Sequence, residues 1–535
     1  MENTPILEVK GVSKYFGSVV ANKNVNISVN KGEILAVLGE NGSGKTTLMN
    51  MIAGIYYPDE GSIFVNGKEV SIRSPQDAFK YKIGMVHQHF KLVNIFTAAQ
   101  NIVLGLNDGR YKLKEISSKA YNIATKYGFE LDPDKKVYNM SVSEKQTVEI
   151  IKVLYRGADL LILDEPTAVL TPQEIDKLFN VLRAMKEDGK SIIIITHKLN
   201  EVMAISDKVA VLRKGEYITT VNTSETNEHQ LTEMMVGKKV ELKIDRVKTD
   251  IQKPLLEIRN LEINSDDGSK AIDDVSFYIR GGEILGVAGV AGCGQKELCE
   301  AIAGLRPLKG AIMHKGESIV GLPPKTIIEK GVSMSFIPED RLGMGLAPSF
   351  SITDNVMLKT YRDTKGPFVN RKIARKRAEK IIDELGIVTP STETAVRKLS
   401  GGNVQKVLVG REIETSPNVI ITAYPVRGLD INSSYAIYNI LNDQKEKGVG
   451  ILFIGEDLDV MLALCDKIMV LCHGKNMGIV HADKTNKEEL GLMMTGSLDL
   501  TEKKKDKNFG IAKDSNLTEE QWEKAFEEEE ATENE

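Results

Sequence analysis

The chain has 535 residues, 41% of them apolar and 27% charged, and a net charge of −5. That balance describes a folded protein of several domains and excludes collagen-like, disulfide-framework and wholly disordered classes. Its apolar runs fall well short of the ~20 residues of a membrane span, and residues 1–10 lack a secretory leader, so a cytosolic protein is expected.

In chain order, Leu7-Glu-Val-Lys opens a first strand, and Ile34-Leu-Ala-Val-Leu38 is a second short apolar run. It leads into Gly39-Glu40-Asn41-Gly42-Ser43-Gly44-Lys45-Thr46-Thr47, and residues 46–55 then carry a helical pattern. Strand, GxxxxGK[ST] and helix together are the context of a phosphate-binding P-loop. The glycines let backbone N–H groups turn toward the phosphates at a helix N-terminus. Lys45 supplies a point charge to the β- and γ-phosphates, and Thr46 offers a hydroxyl to Mg²⁺. Further on, His87 and His89 flank Gln88 without making a metal pair, and Met140-Ser141-Val142-Ser143-Glu144 is a Ser-rich stretch.

Leu160-Leu-Ile-Leu163 and Ile192-Ile-Ile-Ile195 are continuous apolar runs, as expected of strands buried on both faces of a parallel sheet. The first ends in Asp164-Glu165. Strand alternation points the two acids to opposite faces, which suits Asp164 to the Mg²⁺ shell and Glu165 to the attacking water as its general base. His197 follows the second run, positioned to touch a γ-phosphate.

P-loop, Gln88, Ser141, Asp164-Glu165 and His197, in that order, resemble an ATP-binding cassette (ABC) domain. The resemblance implies that Gln88 links the Mg²⁺ and the water to a membrane partner, and that Phe16, before Gly17, stacks on adenine, with Tyr15 the neighbouring candidate for that ring. It also implies that cassettes pair head to tail, each Ser-rich signature completing the partner's P-loop site.

The pattern then returns. Lys31-Gly-Glu-Ile-Leu-Ala-Val-Leu-Gly39 reappears as Gly281-Gly-Glu-Ile-Leu-Gly-Val-Ala-Gly289, and Ile52-Ala-Gly54 as Ile302-Ala-Gly304. The expected class is α/β, with two tandem P-loop NTPase domains of ABC type at 4–240 and 254–498. A linker at 241–253 joins them. The tail, 499–535, carries 6 Lys against 12 Asp and Glu from Thr501 onward and is expected to be disordered. Cys293, Cys299, Cys465 and Cys472 form no CxxC pair and read as buried, reduced thiols.

The second copy keeps Gly289, Gly292 and Gly294 but has Gln295 at the place of Lys45 and Lys296 at that of Thr46. Ala423 and Tyr424 replace Asp164 and Glu165, Glu456 replaces His197, Glu339 replaces Gln88, and Ser265 falls where Phe16 was. Its signature, Leu399-Ser400-Gly401-Gly402-Asn403, is nevertheless the glycine-rich one, whereas the Ser141 version lacks glycines. Head-to-tail pairing therefore gathers all the defects, Ser141 included, into one composite site. The other is competent, uniting Lys45 and its neighbours with Ser400, Gly401 and Gly402.

Without a membrane span, such a pair drives separate membrane subunits or acts on nucleic acid, and the near-neutral body carries no nucleic-acid footprint. Leu231-Thr-Glu-Met-Met-Val-Gly237, Ile337-Pro-Glu-Asp-Arg341, Arg427-Gly-Leu-Asp430 and Glu456-Asp-Leu-Asp459 resemble the ATPase subunit of bacterial monosaccharide and nucleoside importers. Residues 85–93 and 342–348 favour the nucleoside branch. The resemblance implies ATP and Mg²⁺ as cofactors, integral membrane permease subunits as partners, a solute-binding lipoprotein indirectly, and a peripheral position on the cytoplasmic face of the membrane. The alternatives are a ribose or galactose importer and, more remotely, a soluble tandem cassette in translation or DNA repair.

Overall fold

A computed structural model describes residues 4–17, 19–88, 90–106, 112–168, 170–196, 198–237, 244–249, 253–265, 268–290, 292–336, 342, 345–361 and 369–501. The chain divides into two compact units, Met1–Leu242 and Lys243–Glu535. Both are α/β.

In the first unit, strands Ile83–Val86, Leu160–Asp164, Ser191–Ile195, Ile34–Leu38 and Lys208–Arg213 lie side by side in that order, all parallel. Every residue of the three middle strands is buried. Alternation along each strand splits their side chains between two cores. Leu161, Leu163, Ile192 and Ile194 join one with Val148, Ile150 and Leu182. Leu160, Ile162, Ile193 and Ile195 join the other with Leu48, Met51 and Ile52 of the helix Lys45–Ile52. Burying each such side chain contributes roughly 1.5–3 kcal/mol, so a continuous apolar run is stable only between two helical layers. The sheet continues through Glu216–Asn222 into an antiparallel edge of Val19–Val29, Leu7–Phe16, Glu60–Val65 and Lys68–Val70.

The second unit repeats the parallel order with Val332–Phe336, Val419–Ala423, Gly450–Ile454, Ile284–Ala288 and Lys467–Cys472, edged by antiparallel Lys475–His481. Its strands Lys270–Arg280, Pro254–Asn264, Lys309–His314 and Glu317–Ser318 form a separate antiparallel sheet. The four cysteines are buried and free, and burial pushes the Cys299 thiol up to about 12.

Residues 244–249 pack with the second unit. Asn442 Nδ2 donates to the Asp245 carbonyl at 3.1 Å, and Lys445 Nζ donates to the Val247 carbonyl at 2.6 Å. Lys445 is fully buried and also bonds Asp466 Oδ1 at 2.6 Å. Arg246 donates to the Leu462 and Ala463 carbonyls at the end of the helix Leu458–Leu464. The first unit does this work internally: Arg183, the counterpart of Asn442, reaches the Ala204 carbonyl at 2.9 Å, and Lys186 pairs with Asp207 at 2.5 Å while remaining part-exposed. An arginine from the connecting segment thus closes a helix end that the first unit closes with its own side chain.

Candidate active site

The first P-loop is shaped by what cannot fit there. Gly42 and Gly44 have φ of 79° and 92°, in the left-handed region that glycine adopts without strain. A Cβ on Gly44 would collide with the Ala21 carbonyl, and one on Gly39 with the Leu212 carbonyl and Ser43. The loop therefore wraps tightly into the helix that starts at Lys45. Ser43 Oγ is buried and has no hydrogen-bond partner among the described residues, an orphaned polar atom within the loop. Asn41 and Thr46 are exposed at the loop's rim, and Thr47 is half-buried.

Lys45 is buried and folds back onto the loop, donating from Nζ to the carbonyls of Gly39 at 2.7 Å and Glu40 at 3.0 Å. Burial lowers its pKa, while the carboxylates of Glu165, Asp164 and Glu40 act in the opposite direction. Asp164 is buried at the end of its strand; by alternation it shares the face of Leu160 and Ile162, the face that carries the P-loop helix.

Glu165 departs from the sequence expectation in how it is aimed. It is not the next residue of a pleat: its φ of 46° turns the chain into the left-handed region, while its N–H donates to the Ile195 carbonyl at 2.9 Å. Such backbone in a non-glycine residue costs about 1–3 kcal/mol and tends to sit at functional sites. Gln88 Nε2 donates to Glu165 Oε2 at 2.7 Å, so these two candidate residues, 77 apart in sequence, meet directly. His197 lies outside the described residues.

Sequence reasoning missed one brace. Buried Glu201 accepts Oγ1–H bonds from Thr167 at 2.6 Å and Thr196 at 3.1 Å, tying the turn after Glu165 to the strand end before residue 197. Only the three-dimensional fold brings these residues together. Its counterpart in the second unit is Val460.

The second unit keeps the backbone of this site and changes its chemistry. Gly292 and Gly294 have φ of 88° and 99°, Gly289 again faces a carbonyl, that of Leu471, and Tyr424 has φ of 52° with its N–H on the Ile454 carbonyl at 2.8 Å. Gln295 is buried where Lys45 is, its neutral amide donating to the Val290 carbonyl at 3.2 Å. Lys296 is exposed and pairs with Glu300 at 3.7 Å. Ala423 is buried and has no ligand atom. Burial, seconded by Glu456, pushes the Tyr424 phenol up to about 12, so it is protonated at neutral pH and cannot serve as a base. Glu456 pairs with Arg427 at 3.5 Å, and that guanidinium lies 5.9 Å from the Tyr424 ring. Glu339 lies outside the described residues. Ser265 donates its N–H to the Ser269 carbonyl in a turn, with no aromatic surface to offer.

The two signatures differ physically as well. Ser141 caps the helix Val142–Tyr155 in a reciprocal box in which Glu144 Oε2 accepts the Ser141 N–H at 2.8 Å. Lys135 fixes the same carboxylate at 2.6 and 2.9 Å. An anion already occupies that helix start, which disfavours a phosphate. Ser400 caps the helix Gly401–Ile413 with Asn403 instead, Nδ2 donating to Ser400 Oγ at 3.0 Å. Gly401 is exposed, and the residue that closes the box with Ser400 is a neutral amide, not a carboxylate.

The chain matches the ABC transporter family over residues 22–168 and 272–425. It is 41% identical to the guanosine import ATP-binding protein NupO of Bacillus subtilis (strain 168), over 92% of this chain and 98% of that protein. The nucleoside import ATP-binding protein NupA of Lactococcus lactis subsp. cremoris is 40% identical, over 93% and 99%. The glucose import ATP-binding protein TsgD13 of Haloferax volcanii is 39% identical, over 94% and 98%.

Proposed function

This chain belongs to the ABC transporter family, and we propose that it is the ATPase subunit of a nucleoside importer, with one hydrolysing site carried by its first unit. The observation that supports this most is the Gln88–Glu165 hydrogen bond beside buried Lys45 and Asp164, set against Ala423 and Tyr424 on the same backbone in the second unit. Two relatives whose names specify nucleoside or guanosine import support the substrate class.

In this reading the P-loop N–H groups and Lys45 bind the β- and γ-phosphates, and Phe16 supports the base. The oxygen donors present fit Mg²⁺: the Thr46 hydroxyl, the Asp164 carboxylate and the Gln88 amide would hold it, in the few-ligand manner of an ion shared with substrate phosphates. When bound, it supplies positive charge against those phosphates. Glu165, oriented by Gln88, takes the proton of the water that attacks the γ-phosphorus as the bond to the β-phosphate oxygen breaks; His197 contacts the γ-phosphate. Ser400, Gly401 and Gly402 of the second unit complete this ATP site in a pseudo-dimer of the chain's own domains. The second site, with Gln295, Ala423, Tyr424, Glu456 and Glu339, is non-hydrolysing. Loss of the bridging γ-phosphate then becomes a movement.

No helix among the described residues is long and apolar enough to cross a membrane. The chain would act on the cytoplasmic face, bound to permease subunits that a solute-binding protein supplies. The test is uptake of labelled guanosine, ribose and galactose in cells carrying Glu165→Gln. Selective loss of guanosine uptake is expected. Loss of a sugar instead would favour the second reading, a monosaccharide importer, to which the glucose-importing relative points. Unchanged uptake of all three contradicts both.

A further inference from the structure

Phe16 ends the strand Leu7–Phe16 and is 43% exposed, an unusual place for a large apolar ring to be held in one orientation. It does not stand alone. The Tyr56 ring meets it at 5.2 Å between centroids and 72° between planes, an edge-to-face pair. The Lys14 ammonium lies 5.6 Å from the Phe16 centroid and is itself fixed to the Tyr57 carbonyl at 2.7 Å and Asp59 Oδ1 at 2.9 Å. Asp59 Oδ2 accepts the Tyr15 N–H at 2.7 Å, and the Asp59 N–H donates to the Ser13 carbonyl at 2.9 Å. The turn of residues 55–59 is thereby clasped to the strand end that carries Phe16. That turn directly follows the helix Lys45–Ile52, whose N-terminus forms the phosphate loop.

The second unit has lost the ring pair and the clasp together. Between the matching Gly54/Gly304 and Pro58/Pro307, Ile55-Tyr56-Tyr57 becomes Leu305-Arg306, one residue shorter, and Asp59 becomes Leu308. Arg306 instead bonds Glu300 at 2.8 Å and the Asn264 carbonyl at 3.1 Å, so this turn keeps a tie to its strand end, beside Ser265, but offers no aromatic ring. Loss of the brace thus accompanies loss of the ring it would support.

We propose that Tyr56 is a positioning residue for the nucleotide: its ring, held by the Lys14–Asp59 clasp, pre-orients Phe16 as the surface on which the purine base stacks. The proposal rests on the reading of Phe16 as the base platform. Pre-orientation removes the cost of ordering an exposed ring at the moment of binding, so it acts on affinity and leaves the chemical step alone.

The test is ATP affinity and kcat in the full-length chain for Phe16→Ala, Tyr56→Ala, Tyr56→Phe and the double variant Phe16→Ala/Tyr56→Ala. Loss of base stacking should weaken ATP binding roughly tenfold in Phe16→Ala. Loss of the ring pair should weaken it roughly two- to tenfold in Tyr56→Ala, with kcat unchanged and affinity restored by Tyr56→Phe. The double variant should bind no more weakly than Phe16→Ala alone. Unaltered affinity in Tyr56→Ala while Phe16→Ala is weakened, or full additivity in the double variant, overturns the positioning role and leaves the platform standing. Unaltered affinity in Phe16→Ala overturns the platform, and the brace with it.

Discussion

The two P-loops of this chain are a natural controlled comparison. Left-handed glycines recur at Gly42/Gly292 and Gly44/Gly294, and left-handed backbone recurs at Glu165/Tyr424 with φ of 46° and 52°. The strand order is also shared. What differs is which side chains the common backbone presents: a buried ammonium or a buried amide, a carboxylate or a protonated phenol, a two-threonine brace at Glu201 or an apolar Val460. Left-handed backbone retained at Tyr424, which carries no carboxylate, shows that the conformation belongs to the fold and is independent of the side chain placed on it.

The largest expected effect that would break this comparison is at the lysine position. Lys45→Ala removes the loop's buried charge and should lower kcat by about 10²–10³, as losing one charge-stabilising donor does. Gln295→Ala should stay within about twofold, since among the described residues its amide bonds a carbonyl of its own loop and carries no charge. ATPase assays on the two variants, each with ATP binding measured alongside, check both values. Next comes the signature pair. Ser400→Arg should sharply reduce turnover and Ser141→Arg should not; equal losses would contradict the one-site proposal.

Smaller effects test the structural half of the comparison. Arg246→Ala should destabilise the second unit by about 1–3 kcal/mol, because carbonyls at a helix end lose a charged donor. Arg183→Ala, at a more exposed bond, should cost the first unit less. Calorimetry resolving two transitions reads both. Smallest is Glu144→Ala, expected to cost about 1 kcal/mol of stability through the lost capping box, with hydrolysis unchanged.

Much of this was legible in the sequence because it is written locally. The P-loop, the buried strand ending in Asp164, the duplicated order of motifs and the substitutions at residues 295, 423 and 424 each occupy a few consecutive residues. The alternation argument reaches only as far as Asp164, since Glu165 leaves the strand in left-handed backbone and no longer obeys the pleat. What the sequence hid was long-range: the Gln88–Glu165 bond, the Glu201 brace, the Phe16–Tyr56 pair and the exchange of Arg183 for Arg246. Each joins residues through the fold, and no spacing rule connects them. His197 and Glu339, legible as motif positions, lie outside the described residues.

The most direct test of the one-site account is steady-state ATP hydrolysis by the assembled transporter carrying either Glu165→Gln or Tyr424→Phe. The account predicts that Glu165→Gln lowers kcat by at least ~10² while ATP still binds, and that Tyr424→Phe leaves kcat within about twofold. Comparable loss from both substitutions, or substantial turnover surviving Glu165→Gln, would contradict it.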